Sequence, residues 1–369
     1  MAEPIRVLQV MGKMNRGGAE AMIMELYRHI DRNIVQFDFV EHTEERCFYD
    51  DEIEKMGGRI YRVPEYCGYN HLAYRSAWKA LFRAHPEHKV AHCHIRSTAS
   101  LICKIAKNYG VKTIAHSHST SNGNGLRALV KKMFQASLVK RADYLFACCQ
   151  EAGEWLYGQK GVRRRNYRVI PNAIHAERFR FNFAERFSVR MELGIGDNTT
   201  VFGHVGRFHP SKNHLFLIDV FSAIHERQPD SVLVLVGDGE LRNEIEQRIR
   251  EQNLEDHVKM LGLRSDIPRV LNAFDMVLFP SKWEGLPVTI VEAQANGLHC
   301  LVSDTVTKDI NITELVRNLP ITQGVAPWVE VALHTSQERR DCIREICDAG
   351  FDINGSAISL KDFYKSVYE

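Results

Sequence analysis

Long apolar runs are absent from the 369 residues: none approaches the roughly 18 consecutive apolar residues that a membrane-spanning helix needs. The apolar run at 5–11 has no basic residues before it and stops at Gly12, which argues against a secretory signal. The nine cysteines are odd in number and show no CxxC spacing, so neither a disulfide framework nor a zinc ribbon is expected. We therefore predict reduced thiols and a cytoplasmic location.

A strong charge of either sign is also lacking. The sequence has 48 Lys and Arg against 46 Asp and Glu, and a net charge of +2 gives no general attraction to nucleic acid. With 44% apolar and 25% charged residues, the composition excludes disordered, collagen-like and coiled-coil proteins. A chain of this length is expected to form about two domains, each with its own core.

Short β-branched runs alternate with amphipathic stretches along almost the whole chain. Such alternation predicts parallel β-α-β units, and hence an α/β protein with two doubly wound, Rossmann-like sheets. The predicted strands are 5–11, 37–41, 59–63, 90–95, 112–117, 144–149, 167–170, 200–205, 231–237, 258–262, 276–280 and 299–303. The predicted helices are 19–29, 71–84, 98–109, 126–141, 213–225, 240–251, 266–273, 287–296 and 357–368.

The pattern is interrupted at 171–182, where Pro and Asn break the periodicity. This predicts a first domain at 1–174, a second at 175–350 and a final helical segment at 351–369 that can return to the first domain. Because ligands of doubly wound sheets bind at the carboxyl ends of the strands, the cleft between the domains is the expected site.

The first strand is followed by a glycine-containing loop and a helix. Gly17 and Gly18 precede that helix, whose free N–H groups and dipole suit an anion such as a pyrophosphate. The loop is neither a Walker A sequence nor GxGxxG, and a tight turn without ligand is an equally good interpretation.

Two cations lie in the loop GRFHPSKN after the first strand of the second half. Arg207 and Lys212 can clamp a diphosphate, the guanidinium as a fork and the ammonium as a point charge. Taken alone, a solvated basic loop is the better interpretation of this segment.

Two carboxylates occur in WEGLPVTIVEAQANG. Glu284 follows a strand and Glu292 lies eight residues later, an offset that can place both at one pocket wall, where a carboxylate can accept hydrogen bonds from sugar hydroxyls. The amides of Gly285, Leu286 and Val288 can face an incoming anion at the start of the helix. The alternative is charge capping by Glu284 and a solvent-facing Glu292.

These segments together resemble the retaining GT-B glycosyltransferases of family 4. The resemblance covers roughly residues 5 to 320 and is closest to bacterial transferases of capsular and exopolysaccharide assembly. It is carried by GGAE (17–20), AHSHST (115–120), VIPNAI (169–174), GRFHPSKNH (206–214), VLVGDGEL (234–241), LGLRSDI (261–267) and FPSKWEGLPVTIVEAQANGL (279–298). Ala173, where the family commonly has Gly, and Ser119, where close relatives often have Asn, depart from the pattern.

The resemblance implies a role for each of these positions. It implies that Arg207 and Lys212 stabilise the departing diphosphate, that Glu284 contacts the donor sugar and that Glu292 holds the ribose. The remaining roles it implies are a loop over the phosphates at Gly17 and Gly18, a donor-sugar contact at His118, and base contacts at Leu263 and Arg264.

Four histidines allow a competing hypothesis. His92 and His94, like His116 and His118, are two residues apart on predicted strands, so each pair points to one face, as in a zinc hydrolase. No acidic ligand follows at the usual spacing, and neighbouring strands do not guarantee convergence. We therefore predict no metal, with His118 in the cleft and the other three packed or hydrogen-bonded.

The sequence thus predicts a metal-independent transferase that moves a hexose, with retention, from a nucleotide-diphosphate sugar (a UDP-sugar) to a glycan or lipid-linked acceptor. A GT-B epimerase, a non-catalytic nucleotide-sugar-binding protein and a nicotinamide dehydrogenase are the alternatives. The basic amphipathic segment 125–142 is either a core-facing helix with a solvated basic side or a surface for anionic lipid. The second possibility would add peripheral contact with the inner face of the membrane.

Overall fold

The computed structural model describes residues 3–15, 17–96, 98–118 and 137–368. The chain forms two compact units: residues 1–173 together with 353–369, and residues 174–352. The boundaries lie within two residues of the predicted ones. Each unit is an α/β sandwich built on one parallel sheet, which confirms the predicted fold class.

The first unit contains a seven-stranded sheet in the order β3-β2-β1-β4-β5-β6-β7, all pairs parallel. Its strands are β1 (Ile5–Val10), β2 (Val35–Glu41), β3 (Ile60–Arg62), β4 (Val90–Cys93), β5 (Lys112–Ser117), β6 (Tyr144–Ala147) and β7 (Tyr167–Val169). Its helices up to the first boundary are α1 (Gly18–His29), α2 (Asp50–Lys55), α3 (His71–Ala84), α4 (Ala99–Lys107) and α5 (Gln150–Val162). Two apolar clusters make up its core.

The second unit repeats this arrangement with a six-stranded parallel sheet in the order β10-β9-β8-β11-β12-β13. Its strands are β8 (Thr200–Val205), β9 (Ser231–Val236), β10 (Val258–Met260), β11 (Met276–Phe279), β12 (His299–Ser303) and β13 (Val316–Leu319). Its helices are α6 (Phe183–Glu192), α7 (His214–Arg227), α8 (Arg242–Glu251), α9 (Ile267–Val270), α10 (Val288–Ala295), α11 (Ala326–His334) and α12 (Ile343–Asp348).

The last helix, α13 (Ile353–Tyr368), belongs to the first unit, where it packs against α1 and the sheet. It begins four residues before the predicted helix because Ile353 is itself buried in the core. Farther along, Tyr364 is fully buried and its ring stands edge-on to Phe37 of β2. The chain therefore contributes its final turns to the core that its first strand begins.

Several elements differ from the sequence expectation. The predicted helix 266–273 is α9 followed by a 3-10 turn, Leu271–Ala273, and β13 and five helices (α2, α5, α6, α11 and α12) were not predicted. The predicted join 171–182 contains a 3-10 helix, Ala176–Phe179. Most of the predicted helix 126–141 lies outside the described residues. None of the described helices is long and apolar enough to cross a membrane.

Candidate active site

In both sheets, polar side chains gather where the strand order reverses. β1 lies beside β4 in the first sheet, and β8 lies beside β11 in the second, with the remaining strands leading away on either side. Loops after two such strands diverge and leave a crevice at the carboxyl edge, which is where doubly wound sheets bind ligands. The loops after β8 and β11 carry the predicted cations and Glu284.

A cavity of about 670 Å³ lies at this edge of the second sheet, lined by the loops after β8, β9 and β10. Its floor requires glycine. Gly237 has φ of +141°, and a Cβ there would lie 2.0 Å from the carbonyl oxygen of Gly206. A Cβ on Gly239 would likewise lie 2.4 Å from the Phe208 carbonyl oxygen. The two loops therefore pack backbone against backbone and leave room for a flat ligand above them.

Lys212 and Glu284 form an ion pair beside that crevice. The Lys212 Nζ lies 2.7 Å from Glu284 Oε1, and the two side chains are only 16% and 13% exposed. The ammonium also lies 4.8 Å from the ring centre of Phe279, the last residue of β11. Glu284 Oε1 has no directed hydrogen bond among the described residues, so it keeps acceptor capacity for a hydroxyl group.

The loop that presents Lys212 is fixed by its own backbone. His209 Nδ1 accepts from the amide of Ser211 at the start of the 3-10 turn Pro210–Lys212. The Lys282 amide donates to the Ser211 carbonyl at 2.7 Å, which ties this loop to the one after β11. Asn213 adopts a left-handed conformation, φ +58°, and α7 begins directly after it.

Arg207 and Arg264, by contrast, lie at the rim of the cavity. Arg207 is 69% exposed, and its only ion-pair partner among the described residues is Glu240 at 3.9 Å. Arg264 is held more firmly, by hydrogen bonds to Asp266 at 2.8 and 2.7 Å and to Glu192 at 3.0 Å. Leu263, also at the rim, is 80% exposed. Because two carboxylates already neutralise the Arg264 guanidinium, it can offer a ligand a flat surface but little net positive charge.

Glu292 lies within α10, whose first residue is Val288. Burial raises the pKa of Glu292 to about 7, and no described side chain forms an ion pair or hydrogen bond with its carboxyl group. Gly285 and Leu286 lie in the preceding turn, and Leu286 packs partly against the core. The first amides of α10 have no intrahelical partner, which leaves them available to an anion.

In the first unit, Gly17 caps α1 and Gly18 is its first residue. A Cβ on Gly18 would meet nothing within 4 Å, whereas one on Gly17 would meet the carboxylate of Glu20 at 2.3 Å. Glu20 lies in the first turn of α1, at the positive end of the helix, and burial raises the pKa of its carboxyl group. Sequence reasoning missed this carboxylate, although a Glu three residues after a helix cap is a known sequence signature.

The four histidines converge after all, beside the reversal of the first sheet. His92 Nε2 lies 3.1 Å from His116 Nδ1, and His94 Nδ1 lies 2.8 Å from His118 Nε2. Gln9 of β1 and Tyr364 of α13 complete the group. The parallel register places Gln9 beside His92, and Gln9 and Tyr364 had no sequence motif to identify them.

This histidine cluster could also offer ligand atoms to a metal, since nitrogens of His92, His94 and His116 lie within 4.8 Å of one another. However, the described residues already use both nitrogens of His92 and both nitrogens of His94 in hydrogen bonds. Burial holds the pKa of each of the three well below its usual value, so these rings are neutral hydrogen-bonding groups. The absence of a metal stays a prediction.

The hypothesis of a lipid-facing basic surface falls mainly outside the described residues. Within them, Arg141 Nη1 donates to the hydroxyl of Ser100 at 2.8 Å and is partly buried, so it is not a free surface charge. Arg163, Arg164 and Arg165 are exposed. Contact with anionic lipid stays a prediction.

Two doubly wound sheets, one of them with a cation–carboxylate pair and a glycine-floored cavity at its reversal point, define a transferase of the GT-B type. Residues 185–312 match the family model of glycosyl transferases group 1, and residues 16–178 match that of glycosyltransferase family 4. The chain is 35% identical over 368 residues to the protein named glycosyltransferase EpsF of Bacillus subtilis (strain 168), covering 97% of this chain and 96% of that protein. The chain therefore belongs to the family 4 glycosyltransferases.

Two further similarities are to a bacterial galactosyltransferase and to a solved structure. The UDP-Gal:alpha-D-GlcNAc-diphosphoundecaprenol alpha-1,3-galactosyltransferase of Escherichia coli is 34% identical over 225 residues, 59% of this chain and 58% of that protein. The crystal structure of Anabaena HepE in complex with UDP and glucose has a TM-score of 0.75 at 19% identity, covering 98% of this chain and 100% of that one. The second similarity shows the GT-B fold alone.

Proposed function

We propose that this glycosyltransferase moves a hexose from a UDP-sugar to a hydroxyl of a glycan or lipid-linked acceptor, with retention of the anomeric configuration, in cell-surface glycan synthesis. The observation that carries the proposal is the Lys212–Glu284 pair, 2.7 Å apart at the reversal point of the second sheet. It sets a cation for a leaving diphosphate directly beside an acceptor for a sugar hydroxyl.

The electrostatics suit departure of a diphosphate. The bond between the anomeric carbon and the diphosphate oxygen breaks with its electron pair going to that oxygen, where negative charge develops. Lys212, which is already held beside Glu284, supplies positive charge there without reorganisation, and Arg207 and the first amides of α10 add to it. Such preorganised charge is usually the largest single contribution to transition-state stabilisation. The acceptor oxygen then bonds to the same face of the anomeric carbon and its proton passes to the departing diphosphate.

The donor choice rests on the cavity and on the similarities. Leu263 and Arg264, which line the cavity, are suited to a base. We assign Glu292 of α10 to the two hydroxyls of a ribose. The Escherichia coli relative is named for a UDP-sugar donor and a diphosphoundecaprenol-linked acceptor, which supports the same classes here. In the first unit, we assign His118 to a sugar hydroxyl and the Gly17–Gly18 amides to an anion.

The test is a thermal-shift panel with UDP, GDP, ADP and their hexose derivatives, followed by product analysis by NMR. A uridine ligand at one hundred times its Kd should stabilise the protein by about 2.7 kcal/mol. The product formed from an α-linked donor should contain an α-linkage. Preferential stabilisation by GDP or ADP would contradict the donor, and a β-linked product would contradict retention. Release of a free epimerised sugar would favour an epimerase, and binding without turnover a non-catalytic protein.

A further inference from the structure

The histidine cluster is a two-by-two array of rings (His92, His94, His116 and His118). The inner pair, His92 of β4 and His116 of β5, has ring planes within 7° of parallel and centroids 5.1 Å apart. The outer pair, His94 and His118, has ring planes within 26° of parallel and centroids 5.0 Å apart. With nitrogens at 3.1 and 2.8 Å, these values place each pair edge to edge, joined through its nitrogens. Neighbours along the chain, His92 with His94 and His116 with His118, instead have planes tilted by 30° and centroids 4.3 and 4.1 Å apart.

Every ring in this array is neutral. Burial lowers the pKa of His118 to about 3 and that of the other three rings well below their usual range. A neutral imidazole has one N–H donor and one bare nitrogen acceptor. The position of one proton therefore dictates the next one along each edge-to-edge pair.

Gln9 sets that order for the outer pair. Its Oε1 can only accept, so the hydrogen on His94 must be on Nε2, which lies 2.9 Å away. His94 Nδ1 is then bare and accepts from Nε2–H of His118 at 2.8 Å. The Nδ1 of His118 must consequently be a bare lone pair, and no described residue donates to it.

The inner pair follows the same order through the other end of the amide. Gln9 Nε2 donates to the Tyr364 hydroxyl oxygen at 3.2 Å, and the Tyr364 hydroxyl donates to His92 Nδ1 at 2.6 Å. His92 Nε2–H then donates to His116 Nδ1. All four rings thus carry their hydrogen on Nε2. Turning the Gln9 amide over would reverse every bond and place all four hydrogens on Nδ1.

We propose that Gln9 is a positioning residue that, through His94, holds His118 in the tautomer whose bare Nδ1 accepts a hydrogen bond from a hydroxyl of the transferred sugar. The inference rests on the proposed function, because that function assigns His118 to the sugar. With its hydrogen on Nδ1, the His118 ring would instead donate to the hydroxyl oxygen, and the hydroxyl hydrogen would have to point to another acceptor. The amide of one buried glutamine therefore decides which hydroxyl orientation the site accepts.

The first measurement is the tautomer itself, read from proton–nitrogen spectra of the full-length protein with ¹⁵N-labelled histidine. The His118 signals are assigned from a His118→Asn spectrum. We expect a protonated Nε2 and a bare Nδ1 on His118 in the absence of any ligand. A hydrogen on His118 Nδ1 would overturn the inference, whatever the activity of the enzyme.

The second measurement uses substitutions at Gln9. Gln9→Leu leaves the Nε2–H of His94 facing an alkyl group, which favours the reversed order, so a His118 species protonated on Nδ1 should appear. We expect kcat to fall about tenfold, as for loss of one hydrogen bond. Gln9→Glu keeps an acceptor for His94 and should restore both the tautomer and most of kcat. Tyr27→Phe, which removes a buried hydroxyl bonded to the Met56 carbonyl, is the matched control and should leave kcat unchanged.

The outcomes separate the array from the function. A Gln9→Leu variant with lowered kcat and an unchanged His118 tautomer would show a merely structural effect and overturn the inference. A shifted tautomer with unchanged kcat would leave the array standing and refute the assignment of His118 to the sugar. If Gln9→Leu does not fold, the tautomer of the unsubstituted protein and the Gln9→Glu variant still decide.

Discussion

Replacement of Lys212 by alanine tests the centre of the proposed function. In the folded protein this ammonium is only 16% exposed and pairs at 2.7 Å with Glu284, itself 13% exposed. The substitution therefore does two things at once. It removes a positive charge from the place where a diphosphate would depart, and it leaves a poorly solvated carboxylate there without its partner.

The size of the effect follows from this burial. Loss of one preorganised charge or donor at a developing oxyanion typically costs about 2.7–4 kcal/mol, or roughly 100- to 1000-fold in kcat. Lys212→Ala should reach the upper end, because the pair is shielded from solvent and the orphaned carboxylate adds repulsion. Arg207→Ala should stay at the lower end, because Arg207 is 69% exposed and its field is screened by water.

The assay is steady-state kinetics with the donor that the thermal-shift panel identifies, together with thermal denaturation of each variant. Lys282→Ala is the matched control, since this exposed lysine lies in the neighbouring loop and its hydrogen bond to the Ser211 carbonyl is made by the backbone amide, which the substitution keeps. The double variant Lys212→Ala/Glu284→Gln completes a cycle. Its loss of kcat should be smaller than the product of the two single losses, because no unpaired carboxylate remains.

Two results would refute this reasoning. Turnover of Lys212→Ala within about tenfold of the unsubstituted enzyme would remove Lys212 from the leaving-group site, since the expected minimum is roughly 100-fold. Strictly multiplicative losses in the cycle would show that the ion pair has no part in the effect of Lys212. Equal loss in Lys282→Ala would mean that the assay reports general damage to the loops.

Three other predictions concern different parts of the site. Because burial raises the pKa of Glu292 from 4.5 to about 7, the folded protein holds a proton in this window that the unfolded chain has lost, so stability falls as pH rises across it. Relative to the unsubstituted protein, Glu292→Gln should be more stable at pH 8 than at pH 5 by up to ~3 kcal/mol in denaturant titrations, and equal differences at both pH values would contradict the shifted pKa. Gly237→Ala should lower the free energy of unfolding by about 2–4 kcal/mol, because its Cβ would collide with the Gly206 carbonyl. Gly18→Ala, whose Cβ meets open space, is the control and should leave the stability unchanged. Equal thermal shifts in the two variants would be inconsistent with the close loop contact. Activity should survive exhaustive EDTA treatment, and metal analysis should find well under one zinc per chain. Stoichiometric zinc with chelator-sensitive turnover would instead support a catalytic zinc site at the four histidines.

Buried parallel strands were the most predictable part of the fold. The strand 276–280 was predicted to within one residue of β11, because MVLF is the continuous apolar run expected of a strand that is covered on both faces. The edge strand β13 was not, since Arg317 and Asn318 interrupt its apolar pattern where one side of the sheet ends. Edge strands need less apolar character than central ones, and their signal in the sequence is correspondingly weak.

Helix α6 shows a second reason for failure. Its apolar residues Phe183, Phe187 and Met191 are exposed, while its buried face includes Arg190, which is only 2% exposed. That guanidinium is buried because it donates to Asp275 at 2.6 Å and to carbonyl groups of two loops. A helix that buries a charged residue and exposes apolar ones does not show the expected amphipathic pattern. The sequence gives no sign that Asp275, 85 residues away, neutralises Arg190.

The candidate site likewise contains residues that local sequence identifies and residues that only tertiary contacts identify. Arg207, Lys212, Glu284 and Glu292 could be selected from the sequence because each lies in a short loop or first helical turns after a strand, where ligands of parallel sheets bind. Gln9 and Tyr364 could not, because their role depends on contacts between strand and helix at opposite ends of the chain. Tyr364 is 272 residues from His92, yet its hydroxyl lies 2.6 Å from the ring. The side chains that would meet a ligand can thus be found from local sequence, whereas those that fix the protons on them require the assembled fold.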